Sequence, residues 1–130
     1  MKIAYLILAH GHFEHLVRII NALCSPDTSF FIHIDRRTEV DYTKIESKLS
    51  NEADVYLIDR RLEINWGGFS MVEGIVNLML AAIQNDRYDY VSLLSGQDFP
   101  IVHELSIRSF LKEHSGSQFV EYFKIPDYSV

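Results

Sequence analysis

Apolar and polar residues alternate along this chain in two periods. Ile3-Ala4-Tyr5-Leu6-Ile7-Leu8-Ala9 is an unbroken apolar run of strand length, the pattern of a strand buried on both faces. Phe13, Leu16, Val17, Ile20 and Leu23 then recur at helical spacing and predict a helix over 13–24, stopped by Ser25-Pro26-Asp27. Phe30 to Asp35 reads as a second strand. Asp41 to Asn51 reads as a surface helix with a thin stripe of Ile45 and Leu49, and Val55 to Ile58 as a third strand. After the loop Ile64 to Phe69, Ser70 and Glu73 have the spacing of a capping box. The helix it opens is expected to turn Val72, Ile75, Val76, Met79, Ala82 and Ile83 toward a core. Asp89 to Ser95 reads as the fourth and most buried strand. A turn over Gly96 to Pro100 leads to a helix over Glu104 to His114, with Leu105, Phe110 and Leu111 inward. Phe119 to Phe123 reads as a fifth strand.

Strand and helix in alternation predict an α/β fold, a mostly parallel Rossmann-like sheet with helices on both faces. No repeat or linker interrupts the rhythm, so residues 1–130 read as one domain, a length that can bury its own core. Ligands of such folds sit beyond the carboxyl ends of the strands. That rule singles out His10, Asp35, Arg60, Arg61, Ser95 and Asp98.

Composition narrows the classes. The apolar fraction of 48% and charged fraction of 23% are those of a globular protein and exclude a disordered or low-complexity chain. Twelve basic residues against eighteen acidic ones give a formal charge of −6, which argues against nucleic acid as a partner but leaves room for one small phosphate ligand. The single cysteine, Cys24, has no internal disulfide partner. The opening apolar run is short and breaks at His10-Gly11-His12 with no small-residue cleavage site, so it is expected to be a strand and not a signal peptide. The expectation is a soluble, cytoplasmic chain.

The strand ends carry several candidate chemistries. His10, His12 and His15 are close enough to suggest a metal site, and with Asp35 a metal-dependent hydrolase, but the spacing is loose. The alternative leaves His12 and His15 solvated on a first helical turn, with His10 alone at the cleft. Asp35, followed by Arg36 and Arg37, can accept from a ribose hydroxyl or a base N–H; a strand-end ion pair accounts for it equally. No G-x-G-x-x-G follows the first strand and no G-x-x-x-x-G-K-[ST] occurs, which excludes the two commonest nucleotide fingerprints. In Trp66-Gly67-Gly68-Phe69-Ser70 the glycines permit positive φ and close backbone approach. The indole offers a flat face to a base or sugar, and the helix behind it offers free N–H groups to a phosphate. A packed tryptophan over a glycine turn is the plainer reading. Asp98 either caps its own turn or faces the cleft.

Four blocks together are more specific than any one of them. Ala4-Tyr5-Leu6-Ile7-Leu8-Ala9-His10, Phe31-Ile32-His33-Ile34-Asp35-Arg36-Arg37, Asn65-Trp66-Gly67-Gly68-Phe69-Ser70 and Leu93-Leu94-Ser95-Gly96-Gln97-Asp98-Phe99-Pro100-Ile101 stand in order over nearly the whole chain. In this the chain resembles the core-2/I-branching N-acetylglucosaminyltransferase and peptide O-xylosyltransferase family, whose members include membrane-associated enzymes. The resemblance implies a GT-A-type fold and an inverting transfer of a sugar, N-acetylglucosamine or xylose, from a UDP-sugar to a hydroxyl of a glycan acceptor. It implies donor contacts by His10, Asp35, Arg36, Trp66, Gly67, Gly68, Ser95 and Asp98, and an acceptor contact by Glu121. It implies no metal and no other cofactor, and the sequence contains no D-x-D: Ser95-Gly96-Gln97-Asp98 stands where one would follow the fourth strand. The family's general base is a glutamate of the second half of its catalytic domain, and no residue here matches it. The chain therefore reads as the nucleotide-sugar-binding, N-terminal half of such an enzyme; the alternative is a non-catalytic nucleotide-sugar-binding or interaction module.

Overall fold

The computed structural model describes residues 1–122 and 124. The elements run β1 (Ile3–Ala9), α1 (Phe13–Leu23), β2 (Thr28–Ile34), α2 (Tyr42–Glu46), β3 (Asp54–Leu57), α3 (Phe69–Asn85), β4 (Tyr90–Ser95) and α4 (Glu104–Glu113). The strands form one four-stranded sheet in the order β3-β2-β1-β4, and every pairing is parallel. β1 is central, with Leu8 opposite both His33 of β2 and Ser95 of β4.

Helices cover both faces, as the alternation of elements predicts. On one face Leu16, Ile19, Ile20 and Leu23 of α1 meet Tyr5, Ile7, Phe30 and Ile32 of the sheet, with Ile45 of α2 and Ile107 and Leu111 of α4 alongside. On the other face α3 lays Leu78 and Ala82 against Ala4, Leu6 and Phe31. No helix among the described residues is long and apolar enough to cross a membrane.

Several local expectations are corrected. The fourth strand is not the most buried: β4 has only β1 beside it among the described residues, and Val91 and Leu93 are about half exposed. The burial belongs to β1 and β2, which have neighbours on both sides. Of the residues expected to face the core from α3, Ala82 does so, while Val72, Val76, Met79 and Ile83 point outward; Gly74, Leu78 and Ala82 form the buried stripe. The capping box does not form: α3 starts at Phe69 behind Gly68 with no side-chain cap. Ser70 Oγ instead accepts from the Asn65 N–H at 2.8 Å, and Glu73 pairs with Arg60 at 3.6 Å.

On α4, Leu105 and Phe110 are exposed and only Leu111 of the three expected residues packs inward. The inward positions are taken by Ile107 and by Glu104 and Arg108, a buried ion pair one turn apart. Arg108 also donates to the carbonyl of Met1 at 2.6 Å, to Thr28 Oγ1 at 2.7 Å and to Ser25 Oγ. A charged pair is tolerated inside because these partners satisfy it. Phe119 to Tyr122 form no strand, and Phe123, the last residue of that expected strand, lies outside the described residues.

Candidate functional site

In this strand order the chain moves outward from β1 through β2 to β3, then crosses to the far side of β1 to make β4. The carboxyl ends of β1 and β4 therefore flank a topological switch point, where the connecting loops diverge and leave a crevice. A cavity of about 770 Å³ occupies that place. β1 contributes Leu8, Ala9 and the adjacent His10; β2 and its following turn contribute His33, Asp35, Arg37 and Thr38. Ile64 and Trp66 come from the loop before α3, Met71 and Ile75 from α3, and Leu93, Leu94, Ser95 and Gln97 from β4 and its turn.

Asp35 is the most constrained group in the wall, with its side chain 4% exposed. Oδ1 accepts from the Arg37 N–H at 2.8 Å and from Arg37 Nε at 3.0 Å. Oδ2 accepts from Arg37 Nη2 at 2.9 Å and from the Ile64 N–H at 2.9 Å. These four donors fill the lone-pair positions a carboxylate offers. The Arg37 guanidinium holds the Asp35 carboxyl well below the usual carboxylate range, aided by the two backbone N–H groups and opposed by burial. Arg37 Nη2 also donates to the Ile64 carbonyl at 2.6 Å, so one ion pair ties the β2 turn to the loop that carries Trp66. Arg61, beneath that turn, donates to the carbonyls of Ile34 at 3.0 Å, Asp35 at 2.6 Å and Thr38.

His33 is fully buried, and its Nε2 accepts from the Leu62 N–H at 2.8 Å. Burial pushes its protonation down, while Asp35 and the residue's own carbonyl pull the other way. A neutral imidazole whose Nε2 accepts carries its hydrogen on Nδ1. That Nδ1 is buried and has no hydrogen-bond partner.

The other expected residues fall into two groups. His10, Asp35, Trp66 and Ser95 come together on the cavity wall. Trp66 is 92% exposed, so its ring is not packed into the core. Gln97 Nε2 lies 3.4 Å from His10 Nε2, and Thr38 Oγ1 donates to the His10 carbonyl at 3.0 Å. Arg36, Gly67, Gly68 and Asp98 stand outside the wall. Arg36 points away to Glu63, at 3.2 Å. Gly67 adopts φ +72 and Gly68 sits where a Cβ would come within 3.1 Å of the Asn65 carbonyl oxygen, so both glycines serve the turn itself. Asp98 closes its own turn, with Oδ2 accepting from the Ser95 N–H at 2.7 Å. Glu121 is exposed in the irregular segment after α4 and does not line the cavity.

The histidines do not gather. His15 Nε2 donates to the Asp98 carbonyl at 3.0 Å and its ring packs near Phe99, while His12 caps α1 in a left-handed conformation. Among the described residues no three His, Cys, Asp or Glu side chains are placed to hold a metal ion. Sequence reasoning missed Thr38, Gln97 and His33 as wall residues and offered Arg37 only as an ion-pair partner of Asp35, the alternative that the structure bears out. For Arg37 and His33 a signal existed: in the turn after a parallel strand, the side chain two residues past an acid can fold back on it, and β2 alternation puts His33 on the face of Phe31.

A family model described as Core-2/I-Branching enzyme matches residues 3–129. Curated relatives include the xylosyltransferase oxt of Drosophila melanogaster, 28% identical over 123 residues, or 93% of this chain and 14% of that protein. The beta-1,3-galactosyl-O-glycosyl-glycoprotein beta-1,6-N-acetylglucosaminyltransferase of Bos taurus is 30% identical over 131 residues, 97% of this chain and 30% of the relative. The human N-acetyllactosaminide beta-1,6-N-acetylglucosaminyl-transferase is 24% identical over 130 residues, 98% of this chain and 32% of the relative. The chain thus spans 14% to 32% of the length of these relatives.

Proposed function

This chain belongs to the Core-2/I-Branching enzyme family, and on that premise we propose that it is the donor-binding part of an inverting glycosyltransferase, holding a UDP-sugar in the cavity at the β1–β4 switch point. The transferred sugar is N-acetylglucosamine or xylose and the acceptor a glycan hydroxyl, in keeping with the names of the relatives. One observation carries the reading. The four sequence blocks of the family resemblance, far apart along the chain, each contribute side chains to the wall of this single cavity.

The wall suits such a ligand. Leu8, Ile64, Ile75 and Leu94 give an apolar lining for a base, as small-molecule sites generally have, and Trp66 presents a flat ring. The first turn of α3 has no side-chain cap and its Met71 lines the cavity, so the positive end of that helix favours a phosphate nearby. In this reading His10, Trp66 and Ser95 touch the donor. Asp35, its lone pairs filled, acts by fixing Arg37 and the Ile64 backbone. Arg36, Gly67, Gly68 and Asp98 act by shaping turns, Glu121 meets the acceptor, and the site works without a metal.

The test is titration of UDP into the folded chain, followed by calorimetry and by fluorescence of Trp66, its only tryptophan. Saturable binding in the millimolar range or tighter, with a change in indole emission, is the expected result. A folded chain that binds no UDP at millimolar concentration overturns the donor site.

A second reading, a nucleotide-sugar-binding module without catalysis of its own, is favoured by one feature. Among the described residues, Asp35 is the only carboxylate on the cavity wall, and it has no free lone pair to take an acceptor's proton.

A further inference from the structure

The proposed donor site leaves one buried polar atom unexplained. His33 lies on β2 opposite Leu8 of β1, in the cavity wall, with none of its surface open to solvent. Its Nε2 is committed to the Leu62 N–H at 2.8 Å, which places the ring's one N–H hydrogen on Nδ1. Nδ1–H has no acceptor: the residue's own carbonyl is near but outside hydrogen-bond geometry. A buried donor left unsatisfied costs about 1–3 kcal/mol, a cost that a ligand acceptor would remove.

The surroundings select the kind of acceptor. His33 is neutral, so it offers a directional hydrogen bond and no charge. Asp35, two residues on in the same wall, is ion-paired with Arg37, so the pair offers a ligand there no net charge. The neighbouring wall residues Leu8, Ile64 and Ile75 are apolar. A phosphate fits these conditions poorly, whereas a ring carbonyl set in an apolar plane fits them well.

Building on the UDP-binding reading, we propose that His33 is a specificity-determining residue whose Nδ1–H donates to a ring carbonyl of the donor's pyrimidine base. The Leu62 N–H is then the group that fixes the tautomer, and the loop carrying Trp66 and the base-reading donor are set by the same imidazole.

The experiment follows the imidazole nitrogens of the wild-type chain by ¹⁵N NMR while UDP or inorganic pyrophosphate is added. A free chain with hydrogen on Nδ1, an Nδ1–H resonance that UDP shifts and protects from exchange, and no such shift with pyrophosphate are expected. H33Q supplies a second readout. Its side-chain carbonyl keeps an acceptor for the Leu62 N–H but leaves no donor at Nδ1, so UDP affinity is expected to fall by about 10-fold or more with the fold retained. Hydrogen on Nε2, an Nδ1 signal indifferent to bound UDP, or a response to pyrophosphate equal to that of UDP overturns the role of His33 while the donor site stands. Undiminished UDP binding by folded H33Q does the same. Failure of the wild type to bind UDP at all overturns both.

Discussion

At the scale of single residues, the site depends on groups whose hydrogen bonds are already made. Asp35 was expected to meet a ligand directly, yet four N–H groups of Arg37 and Ile64 occupy it. Its value lies in holding two loops together. Asp35→Ala is therefore expected to weaken UDP binding and to destabilise the chain by about 1–3 kcal/mol near neutral pH, as Arg37 and Ile64 lose their acceptor. Because its pKa is lowered on folding, Asp35 stabilises fully above the usual carboxylate value near pH 4 and loses that contribution as acid titrates the folded state. Urea denaturation should show the gap between wild type and Asp35→Ala narrowing below about pH 4; a constant gap would contradict the ion pair. His33 works in the same sense for a different reason. Burial lowers its pKa, so the unfolded chain binds the proton more readily, and stability is lost as pH falls through and below the ordinary value of 6.5. H33Q should lack this slope in the same denaturation series.

At the scale of elements, periodicity located helices better than it chose their faces. α3 is apolar nearly all round, so the face read from the sequence, Val72, Ile75, Val76, Met79, Ala82 and Ile83, competes with a second stripe at Gly74, Leu78 and Ala82 that shares only Ala82 with it. The second stripe is the buried one, and at Gly74 a Cβ would come within 3.0 Å of the Ile64 side chain and 3.3 Å of Leu8. Leu78→Ala is expected to cost about 2–5 kcal/mol, whereas Ile83→Ser, at a 72% exposed position, should change stability by no more than about 0.5 kcal/mol. Thermal and urea unfolding of the two variants decide it; the reverse order would restore the face read from the sequence. α4 was misjudged because its inward side is partly ionic: Glu104 and Arg108 lie 7% and 11% exposed, and only the positions of Met1, Ser25 and Thr28 make their burial tolerable.

At the scale of the whole molecule, the fold supplies a pocket, and chemistry asks for more. An inverting transfer needs a base with a free lone pair aimed at the acceptor hydroxyl, and among the described residues the cavity wall offers only Asp35, already filled. The polypeptide of these 130 residues is thus expected to bind UDP and to release none from UDP-N-acetylglucosamine or UDP-xylose in an acceptor-dependent way. A coupled assay for UDP measures this, and acceptor-dependent turnover would show a base within the chain.

The sequence by itself determined the α/β class, the parallel sheet and the order of its elements. Those follow from local patterns: unbroken apolar runs make strands buried on both faces, and stripes at helical spacing make covering helices. It also located His10, Asp35 and Ser95 at one end of the sheet, because ligand sites of parallel sheets lie beyond their carboxyl ends, and it picked out Trp66 by the glycine turn beside it. Only the tertiary structure decided which side chains share the wall. Arg37 rather than Arg36 joins it because Arg37 closes onto Asp35 while Arg36 turns to Glu63. The state of His33 was likewise out of reach of any local pattern. It is set by a backbone N–H 29 residues away, and hydrogen-bond saturation depends on where distant segments meet.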